Sequence, residues 1–387
     1  MTKIFLNPTE EVRILQGHSW VFNNEVQRME GEIVSGDIVS VYSNQGLFLG
    51  TGFLNTFSKI FVRIVSREDV ILDEKYFMNA IKEATNRRVE QGYVSHYRVL
   101  FGEADFVPGL IVDKYGDYLS IQVLSLGIEK RKEMFIKILV EIFHPLGIYE
   151  RSDLEVRKKE GLELYKGCIY GSVPETVRIE EDGILLDVDI QNGQKTGLFL
   201  DQGTNHLLVK RYAKNKDVLD CFSHGGQFAL HAKRAGAKTV EAVDLSKHAC
   251  NQISHNASLN QLEIKVTQAN VFDLLRDYNK SGKKFDLIIL DPPAFTKSMS
   301  KLKEAYSGYK EINLQAMKLL RSGGILVSAS CSHYLTPSLF FEMLEEAKVD
   351  SGVIAQMIDF RIQGSDHPTL LGSEETLYLK LAVLRIF

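Results

Sequence analysis

The sequence predicts an α/β protein: a mostly parallel sheet with helices on both faces in roughly the C-terminal half, preceded by a small β-barrel and a central α+β unit. Three observations predict it. The first seventy or so residues read as short strands with glycine turns. From about Asp73 the apolar spacing turns helical, with short strands between the helices. After Tyr170, buried apolar runs alternate with helical stretches, the signature of a parallel sheet with crossover helices. The expected domains are 1–72, 73–170 and 171–387, and a chain of 387 residues is long for a single core.

In order, strands are expected over 33–42, 46–54 and 58–65. A helix is expected over 74–91, strands near 110–112 and 119–123, and a helix over 128–143 that Pro145 stops. The C-terminal part begins with a strand over 184–190. Strands over 218–222, 239–244, 285–290 and 324–330 then alternate with helices, two of them over 227–234 and 246–260. A last apolar strand, 376–387, is expected to run antiparallel at the end of the sheet.

Composition narrows the function. With 44% apolar and 25% charged residues, the chain is that of a globular protein. No apolar run is long enough to span a bilayer, and the N-terminus lacks a signal-peptide core, so a cytoplasmic location and no membrane partner are expected. The cysteines, Cys168, Cys221, Cys250 and Cys331, form no C-x-x-C pair, so no metal is expected. A net charge of −4 argues against indiscriminate coating of nucleic acid but leaves room for a local basic face. The candidates are Arg157-Lys158-Lys159 and the cluster Lys297, Lys301 and Lys303, although either set also reads as solvated surface.

The stretch 218–228 (VLDCFSHGGQF) is a buried strand ending in an acid, then a small-residue loop, then a helix. Gly225 and Gly226 let the backbone approach a ligand. The G-x-G-x-x-G spacing that cradles a pyrophosphate is absent. An acid at the strand end suits a cation, and the methionine part of S-adenosylmethionine supplies an ammonium for Asp220. The next strand, 240–244 (VEAVD), ends in Asp244, placed to hold two ribose hydroxyls. In 268–273 (QANVFD), the Asn270 amide could read an adenine edge. Both acids also read as helix N-caps, and it is their order along one sheet that favours the cofactor. The cofactor-binding set is Asp220, Phe222, Ser223, Gly225, Gly226, Asp244, Leu245, Asn270, Val271 and Asp291.

The stretch 286–295 (DLIILDPPAF) runs a buried strand into Asp291-Pro292-Pro293, a stiff loop at the sheet edge where ligands bind in open α/β folds. Asp291 could hydrogen-bond a flat base, and Phe295 could pack on its face. The neighbouring strand, 323–333 (GGILVSASCSH), ends in Cys331. Carbon 5 of a pyrimidine is a poor nucleophile, and thiolate addition at carbon 6 makes it an enamine able to attack a methyl sulfonium. The alternative for Cys331 is a buried small hydrophobe. Cys221 reads as packing, and His333 as a surface histidine.

With these residues in place, the chain resembles the large-subunit ribosomal RNA cytosine-C5 methyltransferases that carry an N-terminal PUA domain. The resemblance spans the chain: 17–22 (GHSWVF) and the strands after it are similar to the PUA module, 102–116 (GEADFVPGLIVDKYG) to the central domain, and 193–202 (GQKTGLFLDQ) to the segment leading into the catalytic domain. Asp291-Pro292-Pro293 and Ser330-Cys331-Ser332 complete the set. The resemblance implies a PUA, central and Rossmann-like methyltransferase arrangement that uses S-adenosylmethionine in rRNA processing and acts on large-subunit ribosomal RNA, with a homodimer left open. It implies Cys331 as nucleophile, Asp291 as the base-contacting acid, and substrate contacts at Lys195, Thr196, Pro292, Pro293 and Phe295. The family usually has arginine where Gly203 stands here. Three rivals remain: a ribosomal RNA guanine methyltransferase, which needs no cysteine; an NAD-dependent oxidoreductase, disfavoured by the missing glycine motif; and a non-catalytic RNA-binding protein, disfavoured by Asp220, Asp244 and Asp291.

Overall fold

The computed structural model describes residues 2–296 and 298–387. Lys297, counted above in a lysine cluster, lies outside the described residues. The chain forms two compact units. One comprises Met1–Ile179, Asp187–Leu200 and Ser365–Thr376, the other Glu180–Leu186, Asp201–Gly364 and Leu377–Phe387. Among the described residues no helix is long and apolar enough to cross a membrane.

The first unit holds two sheets. The N-terminal one has six strands, in the order Trp20–Phe22, Ile60–Ser66, Phe48–Leu54, Ile38–Tyr42, Thr2–Leu6, Val26–Glu30. The expected strand over 33–42 is shorter than its apolar run, because Gly36 adopts φ 89° and turns the chain before Ile38. The five-stranded sheet runs Tyr165–Gly171, Gly147–Ser152, Tyr118–Val123, Leu110–Tyr115, His96–Phe101. The helix Glu74–Glu90 packs on it, capped by Asp73, whose carboxylate accepts the Tyr76 amide. Phe53 of the N-terminal sheet stacks on Phe77 of this helix, and Phe77 meets Phe135 edge-on. A Cβ at Gly127 would lie 2.3 Å from the Phe53 ring, so only glycine fits there.

The single helix expected over 128–143 is two, Leu126–Glu129 and Lys132–Phe143. Arg131 leaves helical geometry between them, and its guanidinium donates to the Gly36 and Gly127 carbonyls. The second helix ends at Phe143 with His144 at φ 45°, in keeping with the clash that keeps a residue before proline out of the right-handed helix. Arg157, considered above for a basic surface, is buried. It donates to the Val123 and Glu163 carbonyls and to Glu129, and so cannot meet a phosphate.

Buried ion pairs tie distant segments into this unit. Arg88 makes two bonds to Asp105, of 2.6 and 2.7 Å, and donates to the Asp366 carbonyl, while the Arg98 amide donates to the Asp366 carboxylate. These contacts bring the late segment Ser365–Thr376 back to the first unit. Arg98 also pairs with fully buried Asp113 through two 2.8 Å bonds, and Asp113 accepts the Thr196 hydroxyl. Asp113→Ala would strip a buried guanidinium of its carboxylate. It should destabilise this unit by about 3–5 kcal/mol, read as a clear fall in its thermal midpoint, whereas a midpoint equal to wild type would mean the pair contributes nothing.

The second unit is built on a seven-stranded sheet, whose strands we label β1 (Asp217–Cys221), β2 (Thr239–Asp244), β3 (Lys265–Gln268), β4 (Phe285–Leu290), β5 (Leu320–Ser330), β6 (Ala355–Arg361) and β7 (Lys380–Ile386). Their order is β3-β2-β1-β4-β5-β7-β6. The first five are parallel, and β7 is antiparallel to both β5 and β6. The final strand is thus antiparallel as expected, but it lies inside the sheet, because β6, whose side chains are largely half-exposed and weakly patterned, takes the edge. The helices are α1 (Gly203–Ala213), α2 (Gln227–Arg234), α3 (Lys247–Leu259), α4 (Val271–Ser281), α5 (Leu302–Leu319) and α6 (Pro337–Ser351).

Strand alternation splits the core in two. Leu219, Ile288, Leu326 and Leu384 face a layer from α4, α5 and α6. Val218, Leu287, Ile289, Val327 and Val383 face a layer from α1, α2 and α3. The inner parallel strands β1 and β4 are buried on both faces and read as largely apolar runs, whereas β3, at the edge, is half-exposed and polar. Burial of a large aliphatic side chain here contributes about 1.5–3 kcal/mol. The ordering that matters for chemistry is at the carboxyl ends of β1, β2, β4 and β5, on either side of the point where strand order reverses.

Candidate active site

β1 ends in a tight loop. Phe222 and His224 adopt φ 62° and 49°, and Gly226, at φ 84°, caps the start of α2. Left-handed backbone at non-glycine residues is strained and clusters where loops clamp ligands. Ser223 locks the loop, donating to the Asp220 carbonyl (2.7 Å) and accepting the Val243 amide (3.1 Å). Asp220 alternates onto the face of Val218, under α2. It is fully buried, and one oxygen accepts the Ala229 amide at 3.2 Å. The other oxygen is buried with no hydrogen-bond partner. Burial, with the Asp291 charge adding to it, raises the Asp220 carboxyl to about 7. An orphaned buried carboxylate oxygen is the feature an ammonium would satisfy.

Asp244 closes β2. One oxygen accepts the Ser246 amide (2.8 Å) and the other the His224 amide (3.0 Å), so a single carboxylate joins the loops after β1 and β2. Leu245 beside it is exposed. Asn270 caps α4 by accepting the Phe272 amide, and it remains solvent-accessible, while Val271 is buried.

The Asp291 amide reaches the Cys221 carbonyl at 3.4 Å, continuing the β1–β4 ladder past its end. Gln202 donates to the Asp291 carboxylate at 2.9 Å, and Asn205 donates to Gln202 at 2.8 Å. Pro292 is buried and Pro293 exposed. Phe295 is half-buried in an aromatic cluster with Tyr309, Phe272 and Phe222, at centroid distances of 4.5, 5.7 and 6.3 Å. Tyr309, on α5, is fully buried. Its hydroxyl lies 3.4 Å from both the Phe295 amide and the Pro293 carbonyl. Burial pushes its pKa up, and the charges of Cys331 and Asp291 act in the same direction. The pairing of Leu290 with Ser328 puts Asp291 and Cys331 just past the ends of adjacent parallel strands, in one neighbourhood. Cys331 is half-buried directly after β5, whose Ser328 is paired with Leu290 of β4. Cys221, by contrast, is fully buried, and desolvation raises its thiol, as suits a packing residue.

The structure therefore brings fourteen expected site residues to one sheet edge: Asp220, Phe222, Ser223, Gly225, Gly226, Asp244, Leu245, Asn270, Val271, Asp291, Pro292, Pro293, Phe295 and Cys331. Lys195 and Thr196 belong to the first unit. There Lys195 is exposed with its ammonium 4.5 Å from the Phe199 ring, and Thr196 is fully buried with its hydroxyl engaged by Asp113.

Several residues of this neighbourhood escaped the sequence reading. Glu181 accepts from His206 (3.0 Å) and His231 (2.8 Å), all three buried. The two histidines hold Glu181 well below the usual carboxylate range despite its burial. Glu181 in turn raises His206 against its own desolvation, with smaller contributions from Asp291 and Asp220. A Cβ at Gly203 would lie 3.6 Å from the Glu181 carboxylate, so this departure from the family pattern falls beside an acid the histidines already engage. Gln202 lay within a recognised motif, but nothing local marked it as a partner of Asp291. Lys380, on an apolar strand, carried no signal beyond being a charge among hydrophobic neighbours.

A reversal point in a parallel sheet, a strained loop, two strand-end acids and an acid–proline–proline turn define a nucleoside-cofactor α/β enzyme. Residues 164–357 match the S-adenosylmethionine-dependent methyltransferase family, and residues 4–67 match the PUA-like domain family. The chain is 41% identical to ribosomal RNA large subunit methyltransferase I of Aeromonas salmonicida, over 99% of this chain and 98% of that protein. It is 38% identical to the protein of that name from Yersinia pseudotuberculosis, over 99% of each. Its fold matches, over the full length of both chains, a candidate SAM-dependent methyltransferase from Streptococcus mutans, with a TM-score of 0.84 at 23% identity. A candidate methyltransferase complexed with SAH matches with a TM-score of 0.86, also at 23% identity and over both full chains. The chain belongs to the S-adenosylmethionine-dependent methyltransferase family that includes these large-subunit enzymes, and its cofactor is S-adenosylmethionine.

Proposed function

We propose that this chain methylates carbon 5 of a cytosine in large-subunit ribosomal RNA, in the cytoplasm, with Cys331 as nucleophile and Asp291 as the acid that contacts the base. The observation that carries the reading is the neighbourhood of Asp291 and Cys331 at the ends of adjacent parallel strands, beside the cofactor loop. The ribosomal substrate extends the name the relatives carry. The division into 1–72, 73–170 and 171–387 gives the target RNA a binding module, a connecting unit and a catalytic unit.

The chemistry follows from what carbon 5 lacks. The Cys331 thiolate adds its electron pair to carbon 6, and the electrons displaced from the 5,6 double bond make carbon 5 nucleophilic. Asp291, held by Gln202, contacts nitrogen 3 or the amino group and, in its protonated form, donates to nitrogen 3, where the displaced electron pair is delocalised, so stabilising the adduct. S-adenosylmethionine supplies the electrophilic methyl group that carbon 5 takes. Transfer of the carbon 5 proton to a water molecule then restores the double bond and expels Cys331 as thiolate, ready for the next turnover. On the cofactor side, Asp220 would hold the ammonium and Asp244 the ribose hydroxyls.

Mass spectrometry of ribosomal RNA nucleosides from a deletion strain tests this. One 5-methylcytidine should disappear from the large subunit and return with the wild-type gene. A full complement of 5-methylcytidine in the deletion strain would exclude the proposal, and loss of a methylguanosine would move the activity to the guanine rival.

Asp220 also predicts a pH dependence. Its folded pKa, about 7, lies above the ordinary carboxyl value, so the free protein keeps a proton there that the unfolded chain releases. The sign follows: this group costs the fold stability as pH rises from about 4 to 7, and nothing further above that. Binding an ammonium needs the carboxylate, so cofactor affinity should rise by about tenfold per pH unit below 7 and level off above it. Titration calorimetry with S-adenosylhomocysteine between pH 6 and 8 reads this directly. Asp220→Asn should flatten the dependence, and a wild-type affinity independent of pH would remove Asp220 from the ammonium site.

A further inference from the structure

Lys380 opens β7, directly across from Ser330, the last residue of β5. It is only 1% exposed. Its ammonium donates to the Ser332 carbonyl at 2.7 Å and to the Tyr378 carbonyl at 2.8 Å. Among the described residues no carboxylate pairs with it. The acids and bases nearby are otherwise engaged: the Tyr378 hydroxyl donates to Asp201, Arg361 on β6 is held by Asp359 and the Thr204 carbonyl, and Asp291 accepts from Gln202. Tyr309 faces the same place from α5, with its hydroxyl beside Pro293 and Phe295. His333 is exposed and packs edge-on against Tyr334.

A buried ammonium without a counter-ion is expensive, and two neutral carbonyls only partly offset the lost hydration. Burial lowers Lys380 to about 8, and the one charge acting to raise it is that of Cys331. The backbone explains the pairing. Lys380 is opposite the residue before Cys331 and is bonded to the carbonyl of the residue after it, so it spans the Cys331 backbone from the neighbouring strand. The influence is reciprocal: whatever the thiolate does for the ammonium, the ammonium does for the thiolate.

We infer that Lys380 is the positioning cation of the nucleophile, a buried counter-charge that holds Cys331 in its reactive thiolate form. The inference rests on the reading of Cys331 as nucleophile. In this role Lys380 acts through the sulfur and not on the base or the methyl donor. A low-pKa thiol needs a cation, a helix N-terminus or a metal beside it. In this site the cation comes from the antiparallel strand inserted next to β5.

The test is the rate of Cys331 carbamidomethylation by iodoacetamide against pH, followed by peptide mass spectrometry in the full-length protein. Lys380→Met removes the charge at nearly constant volume. Lys380→Gln removes it but keeps N–H donors for the two carbonyls, so a purely structural staple would survive. Both should raise the alkylation midpoint of Cys331 by about one pH unit or more. The acid limb of the kcat/KM profile should move with it, and Lys380→Arg should stay close to wild type. Retained binding of S-adenosylhomocysteine shows that each variant is folded. Should the charge-free variants fail to fold, NMR of isotope-labelled lysine in Cys331→Ser gives the reciprocal reading, with the Lys380 ammonium titrating at lower pH than in wild type. Unchanged midpoints in these comparisons would overturn the inference while leaving Cys331 as nucleophile. Full methylation by Cys331→Ala would instead remove the nucleophile, whatever the alkylation shows.

Discussion

Cys331→Ser is expected to lower kcat by at least about a thousandfold while changing the affinity for S-adenosylhomocysteine by no more than about twofold. The serine hydroxyl ionises far above neutral pH, so an oxygen at this position offers almost no anion to add to carbon 6. The substitution is nearly isosteric and Cys331 is only half-buried, so the end of β5 should keep its shape. The Asp220 and Asp244 loops stand on other strands and should be untouched. Single-turnover methyl transfer to unmodified ribosomal RNA measures the first quantity, and calorimetry the second. A variant that turns over at the wild-type rate would end the covalent mechanism. A variant that loses both activity and cofactor binding would show that Cys331 had been a structural residue.

Asp244→Ala should weaken S-adenosylhomocysteine binding by about 10- to 100-fold. Hydrogen bonds to a charged group contribute about 1.5–3 kcal/mol, and a ribose diol offers two hydroxyls to one carboxylate. The same carboxylate accepts the His224 and Ser246 amides, so the alanine also releases the strained loop after β1 from the loop after β2. Asp244→Asn separates the two contributions. Its single carbonyl oxygen can hold one of the amides while the charge is lost, so its affinity should lie between those of wild type and alanine. The dissociation constants from calorimetry order the three proteins, and equal values for all three would take Asp244 out of the cofactor site.

Both predictions concern residues that were legible in the sequence, and for the same reason. Parallel strands buried on both faces must be apolar, so an acid or a thiol at the end of one stands out against its own strand. Asp220 and Asp291 directly follow apolar residues, Asp244 closes a strand that only Glu241 interrupts, and Cys331 follows an apolar stretch that ends in small residues, and strand order then put them at one edge. Residues without such a background stayed hidden. Gln202, Asn205 and His206 lie on a polar helical start whose spacing says nothing of Asp291 or Glu181. Edge strand β6 lacks the apolar pattern of a buried strand, which is why the last strand was expected at the rim.

The amino-acid sequence by itself determined the fold class, the order of the parallel strands' chemistry and the cofactor, because these depend on local periodicity and on which residues end an apolar run. Only the tertiary structure decided what surrounds those residues. It buried Arg157 and Thr196 in internal bonds, returned Ser365–Thr376 to the first unit through Arg88 and Arg98, and set Lys380 beside Cys331 from forty-nine residues further along the chain. Partners of this kind are chosen by strand register and by the cost of leaving a charge unpaired in the interior, and neither quantity is written in any local stretch of sequence.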